Sequence, residues 1–359
     1  MNSAYQQQLA VKVERLQALL APFAAPALTV YPSPAEHYRM RAEFRIWHAG
    51  DDLFHAMFDS QTRKPYRVDQ FPPAAALINQ LMSALITAIQ PVEALRRKLF
   101  QVDYLVTTRG EALISLLYHR QLDEQWQQAA EQLRQQLSAV APVQLIGRAR
   151  KQKLILDADA LEEQFCVQGR TYSYRQVENA FSQPNATTCQ AMLDWAARMT
   201  AGSEGDLLEL YCGNGNFTLP LAANFRQVMA TELSRVSVAA AQWALAASEV
   251  NNVTVVRVPA EDVAAALATG ATQGAGLDLT GWDCRTLLVD PPRAGLDAQT
   301  QALAGQFERI LYISCNPESL ARDLEQWRHS HQLVAAALFD QFPFTDHIES
   351  GVYLVRRPA

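Results

Sequence analysis

The chain has 359 residues, 49% of them hydrophobic, so it is long enough to bury the cores of two domains. No apolar run approaches the ~18 residues of a membrane span, and the N-terminal segment lacks the basic flank and apolar centre of a signal peptide. Its five cysteines have no Cys-x-x-Cys spacing, which argues against a disulfide framework, a zinc site and an iron–sulfur cluster. We therefore expect a cytoplasmic protein without a metal and without a membrane-bound segment.

The net charge of −6 hides an asymmetry along the chain. Residues 1–155 carry 18 Lys and Arg against 13 Asp and Glu, whereas the remainder is strongly acidic. The basic residues form four groups: Arg39/Arg41/Arg45, Arg63/Lys64/Arg67, Arg96/Arg97/Lys98 and Arg148/Arg150/Lys151/Lys153. This distribution is expected of a region that contacts phosphates, although several separately solvated faces would explain it slightly better on charge alone.

The N-terminal part of the chain mixes strand and helix patterns. Residues 40–46 alternate apolar and charged side chains, and turn residues at 49–52 precede a second strand at 53–58, which predicts a hairpin with an arginine-bearing face. The further predicted elements are a helix (75–89), strands (102–107 and 112–118), a Gln-rich helix (126–137) and a strand pair within 145–156. Without a regular βαβ rhythm, these elements predict an α+β domain.

From about residue 205 the pattern changes to short apolar strands separated by helical stretches. The predicted strands are DLLELY, QVMATE, VTVVRV, RTLLVD, RILYIS and QLVAAALF. Their alternation with helices predicts a parallel α/β sheet that is covered by helices on both faces. The stretch that leads into this region predicts a loop followed by an amphipathic helix. We place the boundary between two domains near residue 175, giving domains 1–175 and 176–359, and the N-terminal helix could pack on the second domain.

The first of these strands runs into a glycine-rich turn, residues 212–217. Glycines at such a turn let a ligand approach the backbone and leave N–H groups free at a helix N-terminus. Glu232 ends the next strand, 17 residues after Gly215, where its carboxylate can accept hydrogen bonds from two ribose hydroxyls. The two features indicate a nucleoside cofactor, and at this point a nicotinamide dehydrogenase would explain them nearly as well.

The fourth strand of the series ends in Asp290, followed by two prolines. Because two prolines cannot continue a ladder, strand and carboxylate both stop at the sheet edge where open α/β sheets bind ligands. Asp290 would then face a substrate beside the cofactor, which argues against a dehydrogenase. A turn that merely uses Asp-Pro-Pro is the alternative.

The following strand ends in Cys315, on the same edge as Asp290. Asn316 and Pro317 turn the chain into a helix whose N-terminal dipole favours a thiolate, so this position indicates a nucleophile rather than the usual small buried cysteine. Glu349 lies in a polar loop with aromatic neighbours, which could raise its proton affinity enough to make it a base near neutral pH. An ordinary hydrogen-bonded loop is the alternative for Glu349.

Five ordered motifs over essentially the whole chain resemble those of the bacterial tRNA (uracil-5-)-methyltransferase family. They are FSQPN (181–185), LELYCGNGNF (208–217), VDPPRAGLD (289–297), YISCNPESL (312–320) and DQFPFTDHIE (340–349). The resemblance implies a class I, Rossmann-like S-adenosylmethionine-dependent methyltransferase domain preceded by an α+β RNA-binding domain. It also implies methylation of the T-loop uridine of tRNA, position 54 in tRNA numbering, at carbon 5 to give 5-methyluridine.

The resemblance further implies a role for particular residues. Cys315 is the implied nucleophile, which adds to carbon 6 of uracil so that carbon 5 can attack the methyl group, and Glu349 is the implied base. The implied S-adenosylmethionine-binding residues are Gln183, Tyr211, Asn216, Glu232 and Asp290. The candidates for contact with the tRNA T arm are Arg45, Phe100 and His119, because rings can stack on unstacked bases while arginine pairs with phosphate.

Several alternatives stay open. The related ribosomal RNA enzymes usually carry an extra N-terminal domain and a four-cysteine iron–sulfur site, and neither pattern is found here, which favours tRNA. The other possibilities are a uracil-5 methyltransferase for tmRNA or ribosomal RNA, a methyltransferase for an exocyclic base amine, which needs no cysteine, and a non-catalytic RNA-binding protein. We expect no obligatory protein partner.

Overall fold

The computed structural model describes residues 3–268, 273–274 and 276–358. The chain divides into two compact units. The larger unit comprises Met1–Ala35, Phe165–Arg175 and Phe181–Ala359, and the smaller unit comprises Glu36–Gln164 and Gln176–Ala180. The first 35 residues therefore belong to the same unit as the predicted parallel sheet, and the division is not a single cut at residue 175.

The described residues contain the following elements. The helices are α1 (Ser3–Leu20), α2 (Ala76–Ile89), α3 (Glu93–Arg96), α4 (Glu124–Leu137), α5 (Ala186–Met199), α6 (Thr218–Leu221), α7 (Arg235–Ala247), α8 (Ala260–Ala268), α9 (Ala298–Ala304) and α10 (Pro317–Glu325). The strands are β1 (Thr29–Tyr31), β2 (Arg41–Ala49), β3 (Asp52–Phe58), β4 (Pro65–Arg67), β5 (Leu99–Val106), β6 (Ala112–Tyr118), β7 (Val143–Ala149), β8 (Gln152–Ile155), β9 (Ala160–Val167), β10 (Arg170–Val177), β11 (Asp206–Leu210), β12 (Val228–Thr231), β13 (Val253–Val256), β14 (Gln273–Gly274), β15 (Leu277–Asp278), β16 (Cys284–Val289), β17 (Arg309–Ser314), β18 (His331–Phe339) and β19 (Glu349–Arg356).

The larger unit is built on an eight-stranded sheet of order β1-β18-β19-β17-β16-β11-β12-β13. Its strands are parallel except β19, which runs antiparallel between β17 and β18. The predicted α/β, mostly parallel, Rossmann-like sheet is confirmed. After β11 the chain adds β12 and β13 on one side and β16 and β17 on the other, so the switch in strand order lies between β11 and β16, where such sheets bind ligands.

The two faces of this sheet carry different side chains. Leu210, Val289 and Tyr312 belong to a hydrophobic core that also contains buried residues of α8, α9 and α10. On the opposite face, helix α5 packs so closely that a Cβ added to Gly351 would lie 2.6 Å from the Trp195 ring. Only a glycine fits at this position of β19, so the sequence fixes how α5 covers the sheet.

The smaller unit contains a seven-stranded sheet of order β4-β3-β2-β5-β6-β7-β8, antiparallel except for the β6–β7 pair. The predicted hairpin of β2 and β3, the helices α2 and α4 and the predicted strand pairs are all present. Alternate residues of β2 such as Phe44 join a core with buried residues of α2 and α4, including Leu81 and Trp126. Arg45 lies between two buried positions and is exposed, as the alternation predicts.

Strands β9 and β10 form a separate two-stranded sheet, as do β14 and β15. Among the described residues, none of the helices combines the length and the hydropathy of a membrane-spanning segment.

Candidate active site

The strand register places several predicted site residues on one face of the larger sheet. Glu209 pairs with Leu288, which pairs with Leu311, which in turn pairs with Tyr353. Side chains alternate along a strand with a period of two, so residues an even number of positions from this row share its face. Those residues are Asp290, Cys315 and Glu349, together with Glu232 by way of the Glu209–Ala230 pair. The face they share is the one that α5 covers.

The glycine-rich turn and Glu232 form the first part of the site. Gly213 has a φ of 56°, and a Cβ there would meet nothing within 4 Å, so the space beside it is open. Glu232 accepts hydrogen bonds from the backbone N–H of Gly213 at 3.0 Å and of Ser234 at 2.7 Å. These bonds orient the carboxylate at the strand end and leave it lone pairs for a ribose diol. The helix that follows the turn, α6, is a single turn long.

Asn216 is part of this turn, and Gln183 lies in the loop before α5. The side-chain N–H₂ of Asn216 is buried and has no hydrogen-bond partner in the protein, while its Oδ1 lies 3.4 Å from the sulfur of Cys189. A buried donor without an acceptor is costly, so this amide is suited to a ligand. The side chain of Gln183 is held by Gln341, whose Nε2 donates a hydrogen bond to its Oε1 at 3.1 Å. Tyr211 is half-buried, and burial raises its pKa to about 12.

Glu209 lies on the same sheet face. It belongs to the motif LELYCGNGNF, but its role is not evident from the sequence. It is 1% exposed, and neither carboxylate oxygen makes a hydrogen bond of good geometry, although the Thr218 hydroxyl partly opposes the effect of burial on its pKa. Burial raises its pKa to about 8. The available signal was an acid in the middle of the apolar strand DLLELY. Together with Asp290 and Glu349, Glu209 gives this face an acidic lining that fits a ligand with positive charge, as S-adenosylmethionine has.

Cys315 directly follows Ser314, the last residue of β17, and is half-buried. Burial, together with smaller contributions from the nearby carboxyl groups of Glu349 and Asp290, raises the pKa of its thiol to about 11. The α10 dipole was expected to favour a thiolate; in the ligand-free protein, desolvation and these two acids outweigh it. Asn316 caps α10 by accepting a hydrogen bond from the N–H of Glu318, as its position predicts.

The pKa values of the two acids beside Cys315 are also raised. Desolvation raises the pKa of Asp290 well above its usual range, and the charges of Glu349 and Glu209 add to that shift. Glu349 is 6% exposed, and burial raises its pKa although His347, with its Nε2 3.7 Å from a carboxylate oxygen, acts in the opposite direction. A buried carboxylate with raised proton affinity has the property that a base near neutral pH needs.

The three candidates for RNA contact lie together in the smaller unit. The rings of Phe100 and His119 stack with centroids 3.8 Å apart and planes 8° from parallel, and the guanidinium of Arg45 lies 5.5 Å from the Phe100 ring. Phe100 and His119 line a cavity of about 630 Å³ with Arg120 and Arg150. An exposed imidazole on an aromatic ring, next to several arginines, is a surface on which nucleotide bases can stack.

Sequence comparisons relate the chain to known proteins. The model of the tRNA (Uracil-5-)-methyltransferase family matches residues 4–357. The tRNA/tmRNA (uracil-C(5))-methyltransferase of Idiomarina loihiensis is 53% identical over 358 residues, 99% of this chain and 98% of the relative. That of Yersinia pestis is 55% identical over 362 residues, 99% of this chain and 97% of the relative.

A solved structure supports the fold. The Pyrococcus abyssi tRNA (uracil-54, C5)-methyltransferase in complex with S-adenosyl-L-homocysteine superposes with a TM-score of 0.71 at 18% identity, covering 98% of this chain and 83% of that chain. The match of the family model over nearly the whole chain and the two curated relatives lead to one conclusion. The chain belongs to the tRNA (uracil-5-)-methyltransferase family.

Proposed function

We propose that the protein transfers a methyl group from S-adenosylmethionine to carbon 5 of the uridine at position 54 in the T loop of tRNA, which gives 5-methyluridine. The observation that carries the proposal is the placement of Cys315 between two acids, Asp290 and Glu349, on one sheet face beside a nucleoside-binding turn. Membership of the family and the names of the relatives support the same reaction. A cytoplasmic location is part of this proposal, since the substrate is tRNA.

The cofactor residues fit the donor. S-adenosylmethionine supplies, when bound, a methyl group on a positively charged sulfur. In our proposal Gln183, Tyr211, Asn216, Glu232 and Asp290 hold it. The fixed carboxylate of Glu232 would accept the ribose hydroxyls, and the unpartnered amide of Asn216 would donate to an acceptor of the ligand. The acidic lining would favour the positive charge near Cys315.

Cys315 would act first. Its thiolate bonds to carbon 6 of uracil, and the electron pair of the carbon 5–carbon 6 double bond moves into the ring carbonyl as an enolate. Carbon 5, a poor nucleophile before this addition, then bonds to the methyl group, and the pair of the broken bond stays on the donor sulfur. The end of β17 holds the sulfur rigidly, which is why a strand-end cysteine suits this step.

Glu349 would complete the reaction. Its carboxylate takes the proton from carbon 5, the pair of that bond re-forms the carbon 5–carbon 6 double bond, and the bond from carbon 6 to sulfur breaks. Cys315 leaves as a thiolate and Glu349 is left protonated, so atoms and charges balance. Burial raises the pKa of Glu349, which strengthens it as a base.

The smaller unit would bind the RNA. A base inside an A-form stem exposes carbon 5 poorly, so the target must be a loop base that leaves its stack. The Phe100–His119 stack offers rings for neighbouring bases, and Arg45 offers a cation for phosphate. The names of the relatives include tmRNA, so a tmRNA transcript is the second substrate to test.

Nucleoside analysis tests the reaction. An unmodified tRNA transcript incubated with the protein and S-adenosylmethionine should yield 5-methyluridine by mass spectrometry, and a transcript with cytidine at position 54 should not. Cys315→Ala should abolish product while it still binds S-adenosylmethionine. A methylated exocyclic amine instead of 5-methyluridine, or full activity of Cys315→Ala, would contradict the proposal.

A further inference from the structure

Helix α1 binds the loop that precedes Glu349, the proposed base. The hydroxyl of Tyr5 donates a hydrogen bond to Asp340 at 2.8 Å. The ammonium of Lys12 lies 2.6 Å from the other oxygen of the same carboxylate and 2.9 Å from the carbonyl of Phe342. All three partners are buried, with Tyr5 and Asp340 at 0% exposure and Lys12 at 2%. The contacts join residues more than 300 positions apart in the sequence.

A buried ion pair of this kind needs an explanation other than stability. Desolvation of two charges offsets most of their attraction, and a pair of well-packed apolar side chains is often equally stable. Burial lowers the pKa of Lys12, and the bond to Asp340 only partly opposes that shift. The pair instead fixes geometry, because each side chain holds the other in one position.

Asp340 is the first residue of the loop between β18 and β19. The last pair of the β18–β19 ladder joins Phe339 to Glu349, so Asp340 is the first residue of the loop that Glu349 closes. Its N–H donates to the carbonyl of Tyr31 at 3.0 Å, and its own carbonyl lies 3.4 Å from the hydroxyl of Thr188. Both its carboxylate and its backbone are therefore held, and the position of Asp340 sets the start of the segment that presents Glu349.

A second series of hydrogen bonds connects Tyr5 of α1 to Gln183, which we propose binds S-adenosylmethionine. The N–H of Ser33 donates to the Tyr5 hydroxyl at 2.9 Å, and the amide of Asn185 donates to the Ser33 hydroxyl at 2.7 Å. Asn185 also lies 3.3 Å from the carbonyl of Gln341, whose side chain donates to Gln183 at 3.1 Å. The chain of bonds runs without a gap from α1 to Gln183.

We propose that Lys12 and Tyr5 are positioning residues that hold Glu349 and Gln183 in place through Asp340, so that α1 is part of the catalytic apparatus. The inference rests on the proposed function. Only the second half of the reaction depends on Glu349. The bond from Cys315 to uracil forms without it, whereas the breakage of that bond requires the carbon 5 proton to leave. A displaced Glu349 should therefore slow the release of Cys315 and leave methylated RNA attached to the protein.

The test measures that attached RNA. Lys12→Met and Tyr5→Phe, each with ordinary tRNA and S-adenosylmethionine, should show a fraction of protein covalently bound to RNA on denaturing gels on the order of tenfold above wild type. The KM for tRNA should stay near the wild-type value. Leu20→Ala is the matched control, because Leu20 is a buried residue of the same helix that packs in the hydrophobic core. It should lower the melting temperature without raising the adduct fraction.

The outcomes distinguish the inference from the proposed function. Adduct fractions equal to wild type in both variants, or an equal rise in Leu20→Ala, would overturn the positioning role. Tyr5→Phe removes one hydroxyl only, so it decides the matter if Lys12→Met does not fold. If wild-type protein forms no adduct with tRNA that contains 5-fluorouridine, the proposed function fails instead.

Discussion

The thiol of Cys315 lies beside the carboxyl groups of Asp290 and Glu349, and its pKa in the ligand-free protein is about 11. A thiol with this pKa is almost fully protonated near neutral pH and is a poor nucleophile. A positive charge bound next to these acids would stabilise the thiolate and lower the pKa. Burial is the larger cause of the raised pKa, and the two acids add to it, so the acids' share of the shift would depend on a bound cation.

Alkylation of Cys315 checks this dependence. Iodoacetamide labelling of the Cys315 peptide, followed by mass spectrometry, should rise with pH up to about pH 11 in the ligand-free protein. An S-adenosylmethionine analogue with an ammonium in place of the sulfonium should shift the rise to lower pH by about one unit or more, compared with neutral S-adenosylhomocysteine. The same pH profile with both ligands would contradict the account.

Glu209 provides a prediction for stability. Its pKa in the folded protein is about 8, above that of an unfolded chain, so the folded state binds the proton more tightly. Folding stability from this group is therefore greatest below about pH 4.5 and is lost as the pH rises towards 8. The titratable groups that face it are Tyr174, Cys212 and Asp290.

Glu209→Gln removes this titration. At pH 8 the variant should be more stable than wild type by about 1–3 kcal/mol, because an unpaired buried charge is replaced by a neutral amide of similar size. At pH 5 the difference in the free energy of unfolding should be much smaller. Urea denaturation at the two pH values measures both differences, and a gain that does not change with pH would show that the charge of Glu209 is not its cause.

At the scale of elements, strand ends were predictable and long-range contacts were not. Asp290 and Cys315 directly follow the strands β16 and β17, so period and turn chemistry were enough to place them at one sheet edge. Lys12 shows no such local signal, because a lysine within a helix usually indicates solvent exposure and its partner lies 328 residues away. The edge strand β1 and its pairing with β18 escaped prediction for the same reason.

Helix caps test how an element supports the site. Asn185 is fully buried and caps α5 by accepting a hydrogen bond from the N–H of Thr188 at 3.1 Å. Asn185→Ala should lower the free energy of unfolding by about 1–3 kcal/mol and weaken S-adenosylmethionine binding in calorimetry, since Gln183 lies in the same network. Asp123→Ala removes the corresponding cap of α4 and should leave that affinity unchanged. Equal affinities of the two variants would count against the network.

At the scale of the whole molecule, the candidate catalytic residues belong to the larger unit and the stacking cavity to the smaller unit. The sequence placed one boundary near residue 175 with an N-terminal helix that could pack on the second domain, and residues 1–35 indeed join the larger unit. The overall charge of −6 hides local groups of cations, such as Arg120, Arg148 and Arg150 at the cavity.

Binding measurements separate the two units. Arg45→Ala should weaken tRNA binding and reduce the slope of log Kd against log salt by about 1, whereas Phe100→Ala should cost about 1–3 kcal/mol of tRNA affinity without changing the slope. Both variants should keep wild-type affinity for S-adenosylmethionine. Arg328→Ala, an exposed cation of the larger unit, is the control. Unchanged tRNA affinity in both smaller-unit variants would exclude the cavity as the RNA site.

A covalent trap tests directly whether Cys315 is the nucleophile. The purified protein is incubated with S-adenosylmethionine and a tRNA transcript that contains 5-fluorouridine, separated by denaturing electrophoresis and mapped by peptide mass spectrometry. Fluorine cannot leave carbon 5 as a proton, so Glu349 cannot complete the reaction, and we predict methylated RNA attached to Cys315. Methyl transfer to ordinary tRNA without an adduct on the fluorinated transcript, or an adduct at another residue, would contradict the role of Cys315.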